Sequence, residues 1–467
     1  MTDQAQAAAR SLHPQRWRLL GFLGAAQLML ILDVTVVAVA LPQMGADLGL
    51  ARDSLTWVVS AYTLAFGGLM LIGGRAADIW GPGRVVTTGL LIFTTASLVT
   101  GFASNAETLV GGRVAQGVGA ALISPAALST LVRIFHGEER NRALGVWSAL
   151  GGVGAAIGVL LGGVLTAGLG WSWVFWINVP VGLVVVVALL RLMPPLPGSG
   201  PGTRLDVIGA VLVTAATGAT TYALIDAGHR GWGSGRTMGL VGLGLVLYAV
   251  LAGWLRAVRQ PLFEPRLLAR RAVLAGTFVL FVTTALMVSV FFLGTFHLQE
   301  REGHGPLVTG LLFLPVALAT MIGAQLGGRL IGQAGGRRLG VAALVLAAAG
   351  LVVPALATGT VSTVVAVSVA AGGLGALFVV ASVTALAQVE PEDAGVASGV
   401  LSTFHELGAT LGAAVMSGVA AASLVTGSGA GFERAYLVAA AVALVGAAVT
   451  AALIPAPVPA PEGAAAR

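Results

Sequence analysis

Three ionisable residues stand where charge is expensive. Asp33, Arg113 and Glu406 each lie inside a long apolar stretch. A charge at the centre of a bilayer costs about 2.5–3.5 kcal/mol on insertion scales, so such a residue faces a cavity, pairs, or both. Loss of water raises the pKa of a carboxyl group, and a nearby arginine lowers it. Competition between the two makes a group that loads and unloads a proton near neutral pH. Asp33 and Arg113 fall at similar depth in their stretches, which makes a contact between them possible. For Arg113 an ion pair that merely locks two helices explains the residue equally well. Glu406 lies near the middle of its stretch, beside His405.

Other chemistry is excluded by composition. The chain has no Cys, and all 25 of its basic residues are Arg. Disulfides and thiolate sites are absent. A phosphate loop lacks its lysine, and a Schiff base has no amine to form on. His297 and His304 show no metal-ligand spacing, and no metal or cofactor is expected. Asp226, at the end of an apolar run, reads as solvated.

The elements that carry these residues follow from hydropathy. Of 467 residues, 57% are hydrophobic and 9% charged, against about 25% charged in soluble domains. The long unalternating runs exclude a porin-like barrel. A helix crosses a bilayer with about 20 apolar residues. Fourteen such runs are read, near 19–43, 55–77, 85–103, 107–131, 143–168, 173–192, 207–226, 238–257, 272–298, 307–331, 338–356, 362–388, 394–422 and 434–454. The first is too long for a signal peptide and contains Asp33. With both termini in the cytoplasm, 19 arginines fall on cytoplasmic segments and five outside. That bias sets the orientation and explains the net charge of +6 without nucleic acid.

The chain repeats itself. Gly74, Arg75, Gly81 and Arg84 recur as Gly328, Arg329, Gly335 and Arg338, and Gly154, Ala155 and Gly158 as Gly408, Ala409 and Gly412. Both sets share an offset of 254 residues. Runs 1–6 therefore repeat as runs 9–14, with runs 7 and 8 inserted. Six is even, so the halves are parallel repeats about an axis along the membrane normal. Such halves enclose a substrate site near the midplane in transporters. The mates of Asp33, Arg113 and Glu406 are Met287, Val367 and Gly152. The fold itself does not demand charge there.

The expected organisation is a cytoplasmic tail (1–16), an N-terminal six-helix bundle (17–192), a linker with the two inserted helices (193–271), a C-terminal six-helix bundle (272–455) and a second tail (456–467). Both tails read as disordered. The linker opens on a Pro/Gly stretch at 193–202 and closes on an interfacial segment with five arginines at 256–271.

Three motifs then carry a likeness. ILDVTVVAVALP in run 1, RVAQGVGAA in run 4 and WSWVFWINVPVG entering run 6 resemble the fourteen-helix drug/proton antiporters of the major facilitator superfamily, the EmrB/QacA type. The likeness spans nearly the whole chain. It implies an all-α multi-pass protein of a bacterial cell membrane. Two pseudo-symmetric six-helix bundles plus an inserted pair would export amphipathic compounds against inward proton flow, with a monomer sufficing.

By that resemblance Asp33 falls on a proton or cation position, and Arg113, Gln116, Gly117 and Gly119 on a motif linked to proton relay. Gly74, Asp78, Gly81 and Arg84 fall on a loop that latches helix ends. Gly154, Gly158, Gly162 and Gly163 keep the glycines of the antiporter motif in run 5, but Val159 stands where proline is usual, so the expected kink is in doubt. Ile79, Pro82 and Gly83 replace basic residues of the loop, and Ala38 replaces an Asn.

The carboxylates are expected to line a central chamber. Candidates to line it with them are Gln27, Trp57, Tyr62, Trp147, Asn178, Phe292 and His405. Packing or lipid anchoring explains each aromatic equally well. Trp171, Trp173 and Trp232 read as interfacial anchors. Export of an endogenous metabolite or self-made antibiotic fits the same pattern. A non-transporting sensor or assembly partner fits less well. Asp33→Asn is expected to abolish proton-linked export while leaving the protein folded, checked by vesicle efflux across a range of pH.

Overall fold

The computed structural model describes residues 15–50, 52–196, 206–259, 261, 266, 269–357, 359–387, 394–420 and 429–454. No β-strand occurs among the described residues. The helices are α1 (Arg16–Leu48), α2 (Arg52–Trp80), α3 (Pro82–Gly101), α4 (Ala106–Ile134), α5 (Gly137–Gly168), α6 (Asn178–Leu192), α7 (Val207–Arg230), α8 (Gly235–Ala257), α9 (Arg271–Phe296), α10 (Pro306–Leu356), α11 (Thr360–Leu386), α12 (Ala394–Ala420) and α13 (Gly429–Leu453). A helical turn at Trp173–Trp176 precedes α6, and a five-residue π-turn, His297–Arg301, ends α9. Eleven described helical segments are long and apolar enough to cross a membrane. Runs 10 and 11 lie on the segment α10, which breaks into two helices at Gly335, where the backbone is not helical. The rim where α1 and α9 begin is called near, and the opposite rim far.

Local chemistry sets the helix ends. The side chain of Asn105 accepts from Thr108 N at 2.8 Å and that of Asp206 from Gly209 N at 2.8 Å, so each caps a helix start. Between α2 and α3 stands Gly81 alone, with φ 87°; its repeat mate Gly335 has φ 75°. Only glycine adopts that conformation without strain. The same turn thus recurs at the same offset.

Packing repeats as well. Glycine lets helix backbones approach closely. A Cβ on Gly119 would lie 2.8 Å from the Gly89 carbonyl, joining α4 to α3. One on Gly373 would lie 2.5 Å from the Ala343 carbonyl, joining α11 to α10. Gly154 and Gly158 of α5 face Ile31 and Thr35 of α1; Gly408 and Gly412 of α12 face Phe281 and Ala285 of α9. Gly162 packs on Val36, and Gly163 on Pro306 and Leu307 of the other half. Helix α5 contains no proline, and Val159 is fully buried in it.

The inserted pair covers the seam between the halves. Leu212, Val213, Leu251 and Leu255 pack with Leu64 and Leu71 of α2 and with Val400 and Leu407 of α12. Trp57 of α2 lies 6.5 Å from the Tyr222 ring of α7.

Two expectations outside the membrane core change. Asp226 is not solvated: it is buried between Arg230 at 3.3 Å and Arg236 at 3.6 Å, and Thr237 donates to it at 3.3 Å. Trp171 is not an anchor but is buried edge-on against Phe175; Trp173 and Trp232 are exposed. Met193 and Leu196, at the start of the Pro/Gly stretch, pack on the core of the first half. Arg271 donates to the carbonyls of Leu453 at 2.8 Å and Ala452 at 2.6 Å and caps α13. Residues 1–14, 197–205 and 455–467, with most of the tails and that stretch, lie outside the described residues. Arg16 holds Glu139 at 2.9 Å, and this hydrogen bond lowers the Glu139 carboxyl below its ordinary range. The tie is therefore complete at neutral pH and lost as pH falls through that lowered value.

The glycine contacts make a paired prediction. Gly119→Ala forces a methyl group onto a backbone carbonyl and should destabilise the protein by about 1–3 kcal/mol. Gly111→Ala, with nothing within 4 Å, should be neutral or stabilising. Thermal unfolding of the two purified variants in detergent checks this; equal midpoints would refute the packing account.

Candidate functional site

Asp33 and Arg113 meet, but inside the first half rather than in a central chamber. Asp33 of α1 and Arg113 of α4 are each 1% exposed. Arg113 Nη1 donates to Asp33 Oδ2. The second oxygen, Oδ1, accepts from Gln116 Nε2 at 3.1 Å and from Asn178 Nδ2 at 3.3 Å. Gln116 also donates to Ser97 Oγ at 2.7 Å and accepts from Arg113 Nη1 at 2.9 Å, which fixes its amide. Arg113 Nε donates to the Val58 carbonyl at 2.8 Å, and the guanidinium lies 4.3 Å from the centre of the Tyr62 ring. Five helices, α1, α2, α3, α4 and α6, thus converge on one carboxylate and one guanidinium. The sequence pointed to Arg113 and Gln116 together, three residues apart on one helix face. It gave no signal for Ser97 or for the role of the Val58 carbonyl.

Besides Asp33, Arg113 meets a carbonyl, an amide oxygen and an aromatic face.

Glu406 occupies a different place, on α12 where it crosses α2. A Cβ on Gly67 would lie 2.5 Å from the Glu406 Cβ. The carboxylate is partly buried, and His405 Nε2 stands 3.9 Å away. His405 is more open: its Nδ1 meets Thr284 Oγ1 at 3.2 Å, and its ring lies 5.7 Å from Phe378. Toward the far rim the crossing continues as a row of hydroxyls. Thr63 pairs with Thr410 at 2.7 Å, Ser60 donates to the Thr410 carbonyl at 3.5 Å, and Thr56 pairs with Ser417. These bonds, with Gly163 on Pro306 and Gln299 on the Val39 carbonyl at 2.9 Å, close the far rim between the halves.

A cavity lies between the halves. It is small, and it is lined by Val34, Thr35 and Ala38 of α1, Val59 of α2, and Val288, Phe291 and Phe292 of α9. Its lining is almost wholly apolar. Val34 is the next residue after Asp33, and Val59 the next after Val58. Helices α1 and α2 thus show one residue to the ion pair and its neighbour to the cavity.

Of the pocket candidates, Phe292 lines this cavity. Tyr62 is fully buried against Arg113, and Asn178 belongs to the Asp33 network, so neither faces it. Trp57 faces the inserted α7. Trp147 packs on the core of the first half. Gln27 is half-buried, and its side-chain oxygen has no hydrogen-bond partner among the described residues. The other lining residues are ordinary apolar types, which carry no signal in an apolar helix. Among the described residues no cluster of three or more acidic or His side chains could hold a metal.

At the near rim Asp78 of α2 accepts from Arg133 of α4 at 3.2 Å, bridging two helix ends. Gly74 packs on Pro125 of α4, and Gly81 makes the turn into α3. Arg84 points outward and is exposed.

Burial of the pair alters what Asp33→Asn tests. That variant strands a buried arginine charge, and breaking a buried pair costs about 3–5 kcal/mol. The double variant Asp33→Asn/Arg113→Gln should recover most of the loss. Thermal unfolding checks this; a double variant no more stable than the single would refute the pairing.

The comparisons with known proteins come to the same place. A family model described as Major Facilitator Superfamily matches residues 23–413. The chain is 37% identical to the puromycin resistance protein pur8 of Streptomyces alboniger, over 88% of this chain and 83% of that protein. It is 36% identical to the cephamycin export protein CmcT of Amycolatopsis lactamdurans, over 86% and 84%. A solved bacterial homolog of the human lysosomal transporter Spinster, inward-facing and unoccupied, superposes with a TM-score of 0.67 at 16% identity, covering 94% of this chain and 97% of that one. The apolar helices, the repeat and the family match together place the chain in the Major Facilitator Superfamily, as a multi-pass membrane transporter and not an enzyme.

Proposed function

We propose that the chain exports amphipathic drugs or antibiotics in exchange for protons, by alternating access between two six-helix halves. The observation that carries this reading is the sharing of α1 and α2 between a buried ion pair and an apolar cavity. A ligand that wedges these helices apart strains the pair, and a proton on Asp33 relaxes it. Glu406, at the crossing of α2 and α12, is the second proton-coupling residue. Asp78 with Arg133 latches the near-rim ends of α2 and α4 within the first half. Relatives named for puromycin resistance and cephamycin export support the substrate class. The second of these favours a further reading on the same fold, export of an endogenous antibiotic.

Fourteen crossings follow if α10 is counted as two helices about Gly335. Residues 17–192 then form one bundle, 272–455 the other, and 193–271 the inserted unit. The arginine bias puts both termini in the cytoplasm, so the far rim is the outer one and the present state is closed to the outside. One subunit contains a complete cavity and ion pair, which supports a working monomer in the bilayer.

Energetics separate two kinds of cargo. One proton moving down 100 mV releases about 2.3 kcal/mol, enough for roughly a 50-fold gradient of a neutral compound. Exchange of one proton for a monovalent cation moves no net charge, so only the pH difference drives it.

Efflux from reconstituted vesicles tests the reading. The wild type should export puromycin or a cationic dye when a pH gradient is imposed. Glu406→Gln, which strands no buried partner, should cut gradient-driven export at least about tenfold, the effect of losing ~1.4 kcal/mol of coupling. Export indifferent to the gradient, or unchanged in Glu406→Gln, would overturn the assignment.

A further inference from the structure

We propose that His297 and Glu302 form a second proton-binding site, at the far rim of the C-terminal half, whose occupancy sets how tightly that rim closes. The role in transport rests on the antiport reading above; the site itself does not.

The site is made by a departure from α-helical register. At the end of α9 the chain enters the π-turn His297–Arg301, and Glu302 N donates to the His297 carbonyl at 3.1 Å. In an α-helix, residues five apart point about 140° away from each other. The wider turn stacks them, and His297 Nε2 stands 3.5 Å from Glu302 Oε1. Such turns cluster at functional sites. The repeat mates of His297 and Glu302 are Gln43 and Leu48, which cannot form an ion pair. The pair is therefore an addition to the fold and not a requirement of it.

His297 is fully buried, between the rings of Phe432 at 5.7 Å and Tyr436 at 5.9 Å on α13. Neither ring nitrogen has a hydrogen-bond partner among the described residues. A buried polar group left so costs about 1–3 kcal/mol. A proton converts the contact with Glu302 into a charge-assisted bond. The remaining charges around it are Arg301, which stands 3.6 Å from Glu433, and the exposed Glu300. Arg301 opposes a second positive charge, and Glu433 offsets it. The hydroxyl of Tyr436 is buried without a partner among the described residues. A polar chain leads outward from the pair. Thr360 Oγ1 of α11 donates to Glu302 Oε2 at 3.2 Å, and His304 Nε2 meets that hydroxyl at 2.7 Å.

The same turn carries the closure. Gln299, two residues after His297, donates to the Val39 carbonyl of α1 at 2.9 Å, from one half to the other. A protonated His297 bound to Glu302 ties the two ends of the turn together and holds Gln299 on Val39. Loss of the proton leaves the turn unpinned, and the rim opens more readily.

The chain has no native Cys, so spin labels can be placed cleanly at Glu107→Cys and Val361→Cys, far-rim positions on opposite halves. Between pH 8 and pH 5 the short-distance, closed population should rise about tenfold, the shift expected of one charge-assisted hydrogen bond. His297→Gln and Glu302→Gln should each flatten that profile; Glu302 is only partly buried, so at least its variant should fold. Distances that ignore pH in the parent, or a profile unchanged in Glu302→Gln, would overturn the proposal. Vesicle export distinguishes the two claims. Lost pH-gradient coupling with intact pH-dependent closure counts against the antiport reading alone.

Discussion

An unpaired charge away from water is the condition this molecule is built to avoid. The Asp33–Arg113 pair satisfies it with unusual completeness, drawing donors and acceptors from five helices. That convergence fixes the relative depth of α1 and α4 and the rotation of α6. It also explains why Tyr62 and Asn178 cannot serve a ligand. Their polar or aromatic faces are already committed to keeping two charges inside a greasy bundle. Buried pairs of this kind contribute little net stability against apolar packing.

Symmetry sharpens the same point. Backbone contacts through Gly119 and Gly373, and turns at Gly81 and Gly335, recur at one offset. These are the parts that any two such bundles need. Charge does not recur: Met287, Val367 and Gly152 stand where the other half has Asp33, Arg113 and Glu406. Packing is shared and chemistry is one-sided. A device that must distinguish two directions of travel needs that kind of imbalance.

The fold was largely legible in the sequence because its cause is coarse. Long apolar runs must be helices in a bilayer, since no water remains to satisfy an open backbone. The repeat was legible through its glycines, whose backbone demands are strict. The ion pair was legible in its two charges, because few residues can sit there without a reason. Its location was not. Hydropathy does not say which side of α1 faces a neighbour and which faces the cavity, so Asp33 was expected in the chamber and lies one residue away from it. Trp57 and Trp147 misled for the same reason: an aromatic ring inside an apolar helix has no marker for lipid, core or ligand. Asp226 was misread because its arginine partner Arg236 lies on the next helix, α8.

Gly81 has a mechanical consequence. Between Trp80 and Pro82 there is a single linking residue, and in the second half Gly335 makes the same one-residue break. Such a joint has no slack. A tilt of α2 at its far end must swing α3 about that pin, in the manner of a pair of dividers, and α10 must flex at its own glycine to match. The stroke length available to the carrier is then governed by two residues without side chains, at the rim opposite the one that closes.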